Sequence, residues 1–319
     1  MTNPRKANIF ALTIRRICTM TPRQVRSVLT VLELGSVHRA AEALYLAPSS
    51  VSAQIRELST ELGISLFEAS GRGIVPSSAL RQLHTSLQSF LNHAEHIAQL
   101  AHSLAHEPSG VLKLFAPSSM CIYRLPRLIE AMQLQAPRVE IMLTHEPFAY
   151  RQALQTGEID AAIIVSQVQP EACHYHLLHN EEVVFVCHPE RWQASTLSLT
   201  ALNAHPLITT EEACSYRVAA EAHFRALGLH LKPRQAFTNV EVIRRCLLAN
   251  MGLGLLPACV VEDDVAQGHL KIQAVEGTPY RFQSALIYPE GRTALPKLSA
   301  FIQVLEQQRL ATPLDTSTT

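Results

Sequence analysis

Hydrophobic residues early in the chain recur three or four positions apart, in three short stripes. That spacing places each stripe on one face of a helix. The stripes consist of Val25, Val28, Leu29 and Leu32, of Ala40, Ala41 and Leu44, and of Val51, Ile55, Leu58 and Leu62. Thr21 and Ser36 can cap the first two helices with their hydroxyl groups, and Pro48 can begin the third because the first helical position needs no N–H. The pattern therefore predicts three helices with a tight corner before Pro48.

The third helix carries small residues and one arginine on the faces that its apolar stripe leaves open. These positions are Ser49, Ser50, Ser52, Ala53 and Arg56. Such side chains suit a helix whose amino-terminal end enters the major groove of DNA. A polar turn at Gly71-Arg72-Gly73 then predicts a β-hairpin, in which Arg72 can contact phosphate. Three helices and a hairpin make a winged helix-turn-helix. The alternative is any small two-helix unit in a larger domain, because this spacing is degenerate.

Specific residue types accompany this pattern along the whole segment. They are Gly35-Ser36-Val37, Arg39-Ala40-Ala41, Leu44, Pro48-Ser49-Ser50-Val51-Ser52, Gln54-Ile55, Leu58, Leu62-Gly63, Leu66-Phe67 and Arg72. As a set they are specific, and residues 23–75 resemble the amino-terminal domain of the LysR-type transcriptional regulators. The resemblance implies a DNA-binding surface that also includes Arg23, Ser36, Val37, His38 and Pro48. The chain departs from the family at the corner, where Leu46-Ala47-Pro48-Ser49 replaces Ser-Gln-Pro-Ala, which leaves the operator sequence open.

An apolar stripe continues through residues 77–107 without an interior glycine or proline. Its members are Leu80, Leu83, Leu87, Leu91, Ala94, Ala98, Ala101 and Leu104. A stripe of this length suits a coiled-coil seam, and about 30 helical residues would span about 45 Å. We therefore expect a linker helix at 77–107 through which two copies pair, with a buried core helix as the alternative.

From residue 108 to 319, strand-like apolar runs alternate with helix-like runs, which predicts an α/β fold with parallel sheets covered on both faces. Four stretches resemble the effector-binding domain of the same family, namely Tyr123–Pro126, Ala136–Val139, Gly157–Ile163 and Met251–Pro257. The resemblance implies two Rossmann-like α/β subdomains with a cleft between them, as in periplasmic binding proteins. Subdomain I is expected at 108–180 and 286–319, and subdomain II at 181–285.

Two predicted helix starts can be assigned to this cleft. Ser118 and Ser119 follow the first strand, and Asn239 precedes a later helix. Unpaired N–H groups and a positive dipole end make helix starts suitable for anions, although simple N-caps are the alternative at each. The resemblance places the matching turns at the cleft, and we expect it to be lined further by Thr144, Val165, Thr209 and Thr210. The expected ligand is a small anion such as a carboxylate.

Charge and composition indicate how the protein binds DNA and in which compartment it acts. The formal net charge of the chain is zero, and residues 20–78 contain five basic and five acidic side chains. Balanced charge weakens non-specific binding to phosphates, so two or more copies are expected to cooperate on DNA. Seven cysteines without a signal sequence predict reduced thiols and a cytoplasmic protein. No apolar run approaches the ~20 residues of a membrane span.

The first 19 residues differ in charge from the rest of the chain. They carry four basic residues and no acid, and the first helix cap comes only at Thr21. We interpret residues 1–19 as a disordered extension or a start-site artefact, with a basic arm that contacts DNA as the alternative. The winged helix-turn-helix domain is accordingly expected at 20–76.

Clusters that could carry chemistry are sparse. The sequence has no nucleophile elbow, zinc-protease motif, dinucleotide fingerprint or phosphate-binding loop, so we predict neither an enzyme nor a bound cofactor. Cys173-His174-Tyr175-His176 resembles a metal site, but alternation along a strand would split the cysteine from both histidines. The thiols could also include a redox pair, as in the peroxide sensors of this family.

Together these features predict a one-component transcriptional regulator. A small molecule would bind in the cleft, change the packing of the subdomains, and so move four DNA-binding domains in a dimer of dimers. Its partners would be double-stranded DNA, the effector and further copies of itself. Two alternatives remain, a repressor that responds to no ligand and an enzyme-like binding domain fused to a DNA-binding segment.

Overall fold

Two compact units divide the chain. The first covers the chain up to His102 together with Gln155–Glu158, and the second covers the rest. The computed structural model describes residues 20–70, 73–103, 107–145, 149–290 and 295–311. The extension at 1–19 and the hairpin residue Arg72 lie outside the described residues. None of the described helices combines the length and the apolar character needed to cross a membrane.

The described chain up to Ser103 forms four helices and a two-stranded antiparallel hairpin. In order these are α1 (Pro22–Leu34), α2 (Val37–Ala43), α3 (Pro48–Leu62), β1 (Phe67–Ser70), β2 (Gly73–Pro76) and α4 (Ser78–Ser103). Thr21 caps α1 reciprocally, since its hydroxyl accepts from Gln24 N at 3.3 Å and its own N donates to Gln24 Oε1 at 2.9 Å. Gly35 ends α1 in the left-handed region, with a φ of 65°. The predicted helices and hairpin are confirmed.

Small side chains let α2 approach its neighbours closely. Ala40 and Ala41 are buried in one cluster with Val51 of α3. The apolar stripe of α3 is shorter than its spacing predicts, because Leu62 is 37% exposed. Gly63 ends α3 directly after this residue, so Leu62 lies at the edge of the core.

The long helix α4 packs its first half inside the first unit. The buried cluster at this place consists of Leu80, Leu87 and Leu91 of α4 with Val25, Val28, Leu29, Leu58 and Leu66. The first half of the stripe therefore packs as a core helix, which was the alternative to a seam between copies, because a stripe shows that a face is buried but not what buries it. In the second half Ile97 is 67% exposed. The 26 residues of α4 span about 39 Å, and residues 104–106 of the expected linker lie outside the described residues.

The second unit alternates strands and helices. Its elements are β3 (Gly110–Phe115), α5 (Ser118–Tyr123), α6 (Leu125–Gln135), β4 (Val139–Thr144), α7 (Tyr150–Thr156), β5 (Ala161–Ser166), β6 (Cys173–Cys187), α8 (Leu199–Leu202), β7 (Leu207–Thr210), α9 (Ser215–Ala226), β8 (Pro233–Phe237), α10 (Val240–Leu248), β9 (Leu253–Pro257), α11 (Ala258–Ala266), β10 (Lys271–Gln273), β11 (Tyr280–Pro289) and α12 (Pro296–Ala311).

These strands form one mixed sheet in the order β4-β3-β5-β11-β6-β9-β7-β8, with β10 paired to β6. At one end β3 is parallel to β4 and β5, and at the other β7 is parallel to β8 and β9. In between, β6 and β11 are antiparallel to each other and to their other neighbours. The prediction of parallel sheets therefore holds for the two ends but not for β6 and β11, which carry the chain from one end to the other.

Strand β6 is far longer than its apolar run predicts. It covers 15 residues and joins the strand expected at Cys173–His176 to the apolar run from Val183 to Cys187. The earlier part alternates histidine with other residues, and it pairs with β11 along its whole length, with a register shift between Ser284 and Ala285. Each end of the sheet is thus an α/β layer built on the same β6–β11 pair. The largest buried cluster lies on this sheet.

Candidate DNA interface and ligand cavity

The front of α3 presents short polar side chains to solvent. Of the residues predicted to meet DNA here, the exposed ones are Pro48, Ser49 and Arg56, and the partly buried ones are Ser50, Ser52 and Ala53. Val51 and Leu58 occupy the opposite, buried face of the helix. No side chain caps α3 at Ala47, so the Ser49 N–H, which has no acceptor among the described residues, is left for water or for phosphate.

The arginines of the first unit differ in whether they form an ion pair with a carboxylate. Arg26 is paired with Glu95 at 2.8 Å. Arg23, Arg39 and Arg56 are exposed and make no ion pair with a described residue. Arg39, which the sequence patterns did not place among the DNA contacts, donates from Nη1 to the carbonyl of Leu34, the last residue of α1, at 3.4 Å. These three guanidinium groups are available to phosphate.

Ser36, Val37 and His38, also predicted at this surface, have different surroundings. The Ser36 hydroxyl caps α2 by accepting from Arg39 N at 3.4 Å. Val37 is partly buried and packs against the cluster around Val31. His38 is exposed. Ser36 and Val37 therefore stabilise the start of α2. The side chain of His38 is exposed to solvent.

A cavity of about 260 Å³ lies in the second unit, where the ends of β3, β5 and β7 meet the starts of α5, α9 and α10. The predicted residues that line it are Ser118, Ser119, Val165 and Thr210. Thr144, Thr209 and Asn239 do not belong to its lining. Alternation along β7 turns Thr209 away from Thr210, and Thr144 is exposed at the end of β4. Asn239 folds its side chain back to cap α10, accepting from Glu241 N at 2.8 Å.

The two serines use their hydroxyl groups to join elements across the cavity. Ser119 Oγ and Tyr216 Oη of α9 lie 3.0 Å apart, and both residues are buried. Ser118 Oγ accepts from Val240 N, at the start of α10, at 3.4 Å. Burial raises the pKa of Tyr216 well above its ordinary value, so its phenol is neutral. The hydroxyl groups of both serines are therefore already engaged with the protein, whereas no side chain caps the start of α5 at Pro117.

The remaining lining combines apolar and aromatic side chains with the polar residues His145, Glu211, Ser215 and Thr238. Phe115 and Tyr150 are stacked, with ring centroids 5.2 Å apart and 4° between the ring planes. Among the described residues that line the cavity there is no lysine or arginine, and Glu211 contributes the carboxylate. Glu211 Oε2 is buried and has no hydrogen-bond partner among the described residues. Glu211 was not among the predicted cavity residues, although it directly follows Thr209-Thr210 at the end of a strand.

Further polar contacts tie α5 and its neighbour α6 to the other end of the sheet. Tyr123 Oη donates to Glu241 Oε2 at 2.7 Å, and burial with this bond raises the pKa of Tyr123 above its ordinary value. Arg124 donates to both oxygens of Glu181 on β6, each at 3.2 Å. Glu181 is 2% exposed and also accepts from Ser284 Oγ at 3.1 Å. A change in the position of α5 would therefore be felt at α10 and at β6.

The cysteine–histidine stretch on β6 divides as its alternation predicts. Cys173 and Tyr175 pack against one apolar cluster. His174 and His176 stack on the ring of Tyr288, with centroids at 4.5 Å and 5.9 Å. Within the described ranges no three histidine, cysteine or acidic side chains come together as a metal site.

The described cysteines are free thiols. Burial raises the pKa of Cys121 and of Cys187 to about 11. Burial, followed by the neighbouring carboxylate of Glu181, raises the pKa of Cys259 to about 12. A thiolate is the reactive form of cysteine, so these three thiols are protonated and unreactive at neutral pH.

Comparison with known families identifies both units. The family model described as "Bacterial regulatory helix-turn-helix protein, lysR family" matches residues 22–79. The model described as "LysR substrate binding domain" matches residues 105–309. The two matches together cover most of the chain. The protein belongs to the LysR family of transcriptional regulators.

Individual relatives agree with this assignment. The HTH-type transcriptional regulator YwqM of Bacillus subtilis is 30% identical over 260 residues, which are 79% of this chain and 87% of the relative. The hydrogen peroxide-inducible genes activator of Haemophilus influenzae is 25% identical over 281 residues, 85% of this chain and 91% of the relative. The structure of full-length CbnR complexed with its target DNA has a TM-score of 0.64 at 18% identity, covering 90% of this chain and 99% of that chain. This last likeness shows the fold.

Members of this family bind DNA, carry a substrate-binding domain and associate with copies of themselves. The predicted family, fold class and partner classes are confirmed at this level.

Proposed function

We propose that this protein is a sequence-specific DNA-binding regulator whose activity is controlled by a small molecule in the cavity beside α5. The observation that carries the control step is the Ser119–Tyr216 contact, because it joins the two ends of the sheet at the cavity wall. A ligand that binds one packing of the two ends better than another shifts the equilibrium between them. The rival class, a repressor without a ligand, gives no reason for a cavity at this junction.

For DNA, we propose that α3 enters the major groove with its exposed front. Ser49, Ser50, Ser52 and Ala53 would face base edges. Arg56 and Arg23, which form no ion pair with a described residue, would hold phosphates. His38 and the hairpin residue Arg72 remain part of this proposal. The exposed Arg39 is added to it, since its guanidinium is equally available.

For assembly, we propose that the second half of α4 pairs two copies, because Ile97 leaves an exposed apolar position there. Dimers would then associate into tetramers. The domain boundaries 20–76, 77–107 and 108–319, with subdomain II at 181–285, stay part of the proposal. As a DNA-binding regulator the protein would act in the cytoplasm, and we assign it no catalytic role and no cofactor.

The DNA part can be tested by selecting duplexes from a random library with the purified full-length chain. One enriched sequence with two related half-sites is expected, because paired copies read two turns of the groove. Selection without enrichment of any sequence would contradict sequence-specific binding.

The control part can be tested by filling the cavity from its rim. Ala213 lines the cavity and is exposed, so Ala213→Trp adds bulk without entering the core. The matched control is Ala194→Trp, at an exposed loop position that is not part of the lining. In cells carrying a reporter behind the selected sequence, Ala213→Trp should occupy the operator but give the same transcription under all growth conditions. A response equal to that of the wild type and of Ala194→Trp would contradict the cavity as the control site.

A further inference from the structure

We infer that the ligand of this cavity carries a protonated amine that pairs with Glu211, on a small apolar or aromatic body. The inference rests on the proposed function in one respect, namely that the cavity is a ligand site. The sequence led us to expect a small anion in the cavity. The inference instead places a positively charged group of the ligand next to Glu211.

The first support is the state of the Glu211 carboxylate. Its Oε2 atom is buried and accepts no hydrogen bond from a described residue. Buried polar atoms in folded proteins are almost always paired, and a buried charge without compensation is costly. The backbone of Glu211 is held in place, since its carbonyl accepts from Cys214 N at 3.1 Å. A donor from outside the protein would complete this group.

The second support is that two arginines of neighbouring helices, Arg217 and Arg151, contact other groups. Arg217, a buried residue of α9, donates from Nε to Glu221 Oε1 at 2.7 Å and from Nη1 to Thr210 O at 3.3 Å. Its Nη2 lies 3.6 Å from the neighbouring Glu212. Arg151 stands over the Tyr150 ring, at 5.7 Å from the centroid, and is not part of the cavity lining. Of the described residues that line the cavity, only His145 can carry a positive charge, and no ion pair between described residues includes Glu211. An anionic ligand would therefore meet the Glu211 carboxylate without a lysine or an arginine to offset it.

The third support is the rest of the wall. The stacked rings of Phe115 and Tyr150 face a ligand together with the aliphatic side chains of Ile164, Val165 and Val240. Aromatic rings attract cations as well as apolar groups. The volume of about 260 Å³ suits a small molecule. An amine on an apolar body matches both the Glu211 carboxylate and the aromatic and aliphatic side chains of this lining.

The test uses three probes with the same benzyl body and different charges: 2-phenylethylamine, L-phenylalanine and 3-phenylpropanoate. Their dissociation constants are measured by calorimetry with the full-length wild type, Glu211→Gln and the control Glu212→Gln. Glu212 is the adjacent acid, but its side chain is 88% exposed and is not part of the lining. The wild type should bind the two amine-bearing probes at least about tenfold more tightly than 3-phenylpropanoate, as expected for a charge-assisted bond. Glu211→Gln should lose about tenfold for these two probes, and Glu212→Gln should stay within about twofold of the wild type.

Thermal unfolding of the ligand-free proteins provides the second measurement. Neutralising a carboxylate whose buried Oε2 has no donor among the described residues should leave the melting temperature of Glu211→Gln equal to or above that of the wild type. A clear drop would mean that the carboxylate serves the free protein, and would overturn the inference. So would tighter binding of 3-phenylpropanoate than of 2-phenylethylamine, or an unchanged amine affinity in Glu211→Gln, although both outcomes would keep the cavity as a ligand site. If none of the probes binds at millimolar concentration, the ligand site of the proposed function fails, and the inference fails with it.

Discussion

The two candidate sites leave charges of opposite sign without a partner, and they do so in opposite surroundings. On α3 and its neighbours, exposed arginines have no carboxylate partner among the described residues. In the cavity a buried carboxylate oxygen has no donor within the same described part of the chain. Water solvates the arginines at little cost, so they suit any phosphate backbone and a binding strength that depends on salt. Burial makes the lone carboxylate costly, so it suits one kind of ligand held at close range.

The largest effect on stability is expected from a substitution that buries a new charge in an apolar core. Leu87→Glu places a carboxylate in the α1–α4 core, where Leu87 is 4% exposed. Folding of the first unit should weaken by several kcal/mol, measured by urea denaturation. Ile97→Glu is the matched control on the same helix, and it should leave unfolding unchanged while weakening association of copies. Equal stability of both variants would contradict the packing described for α4.

The next largest effect on stability is expected when a buried carboxylate loses its arginine partner. Arg124→Met leaves Glu181 buried without its arginine, with the Ser284 hydroxyl and the Cys259 thiol as its hydrogen-bond partners among the described residues. The free energy of unfolding of the second unit should fall by about 3 kcal/mol. The control Arg127→Met changes an exposed arginine of the same helix region and should have little effect. If Arg124→Met unfolds at the same denaturant concentration as the wild type, the ion pair does not stabilise the junction.

An exposed arginine should give a smaller effect that depends on salt. Arg56→Ala should weaken binding to the selected operator and to unrelated duplex alike, and reduce the slope of log affinity against log salt by about one. Fluorescence anisotropy over a range of salt concentrations measures both quantities. Arg81→Ala, also exposed but on α4, serves as the control. An unchanged slope would remove Arg56 from the phosphate contacts.

The smallest effect is expected from reagents that attack thiols, because the buried cysteines should react slowly with them. Because burial raises the pKa of Cys121, Cys187 and Cys259, these thiols are protonated at neutral pH and become reactive only as the pH approaches those raised values. Alkylation of the three in the folded protein should be much slower than in the same chain unfolded in urea, as followed by mass spectrometry. Rates that match in the two states would reopen the comparison with peroxide-responsive relatives.

Local patterns predicted the first unit well because its helices are set by neighbouring residues. The capping box at Thr21, the glycine end at Gly35 and the start at Pro48 all act within four residues. The same patterns failed for the packing of α4, since the spacing of Leu80 and Leu87 is the same whether the helix meets α1 or a second copy.

The cavity was predictable only in part, for the same physical reason. Strand ends and helix starts pointed to Ser118, Ser119 and Thr210. The partner of Ser119 is Tyr216, 97 positions away, and no local pattern links the two. The Glu211 carboxylate resembles an ordinary loop acid until its burial and its missing donor are known.

The two sites are expected to use their unpaired charges separately, and one paired titration tests this independence. Affinity for the selected operator and affinity for 2-phenylethylamine are measured on the same preparations of wild type, Arg56→Ala and Glu211→Gln. We predict that Arg56→Ala lowers operator affinity and leaves amine affinity unchanged. Glu211→Gln should lower amine affinity about tenfold and leave ligand-free operator affinity unchanged. Loss of operator affinity in ligand-free Glu211→Gln, or amine binding that is indifferent to this substitution, would contradict the independence of the two sites.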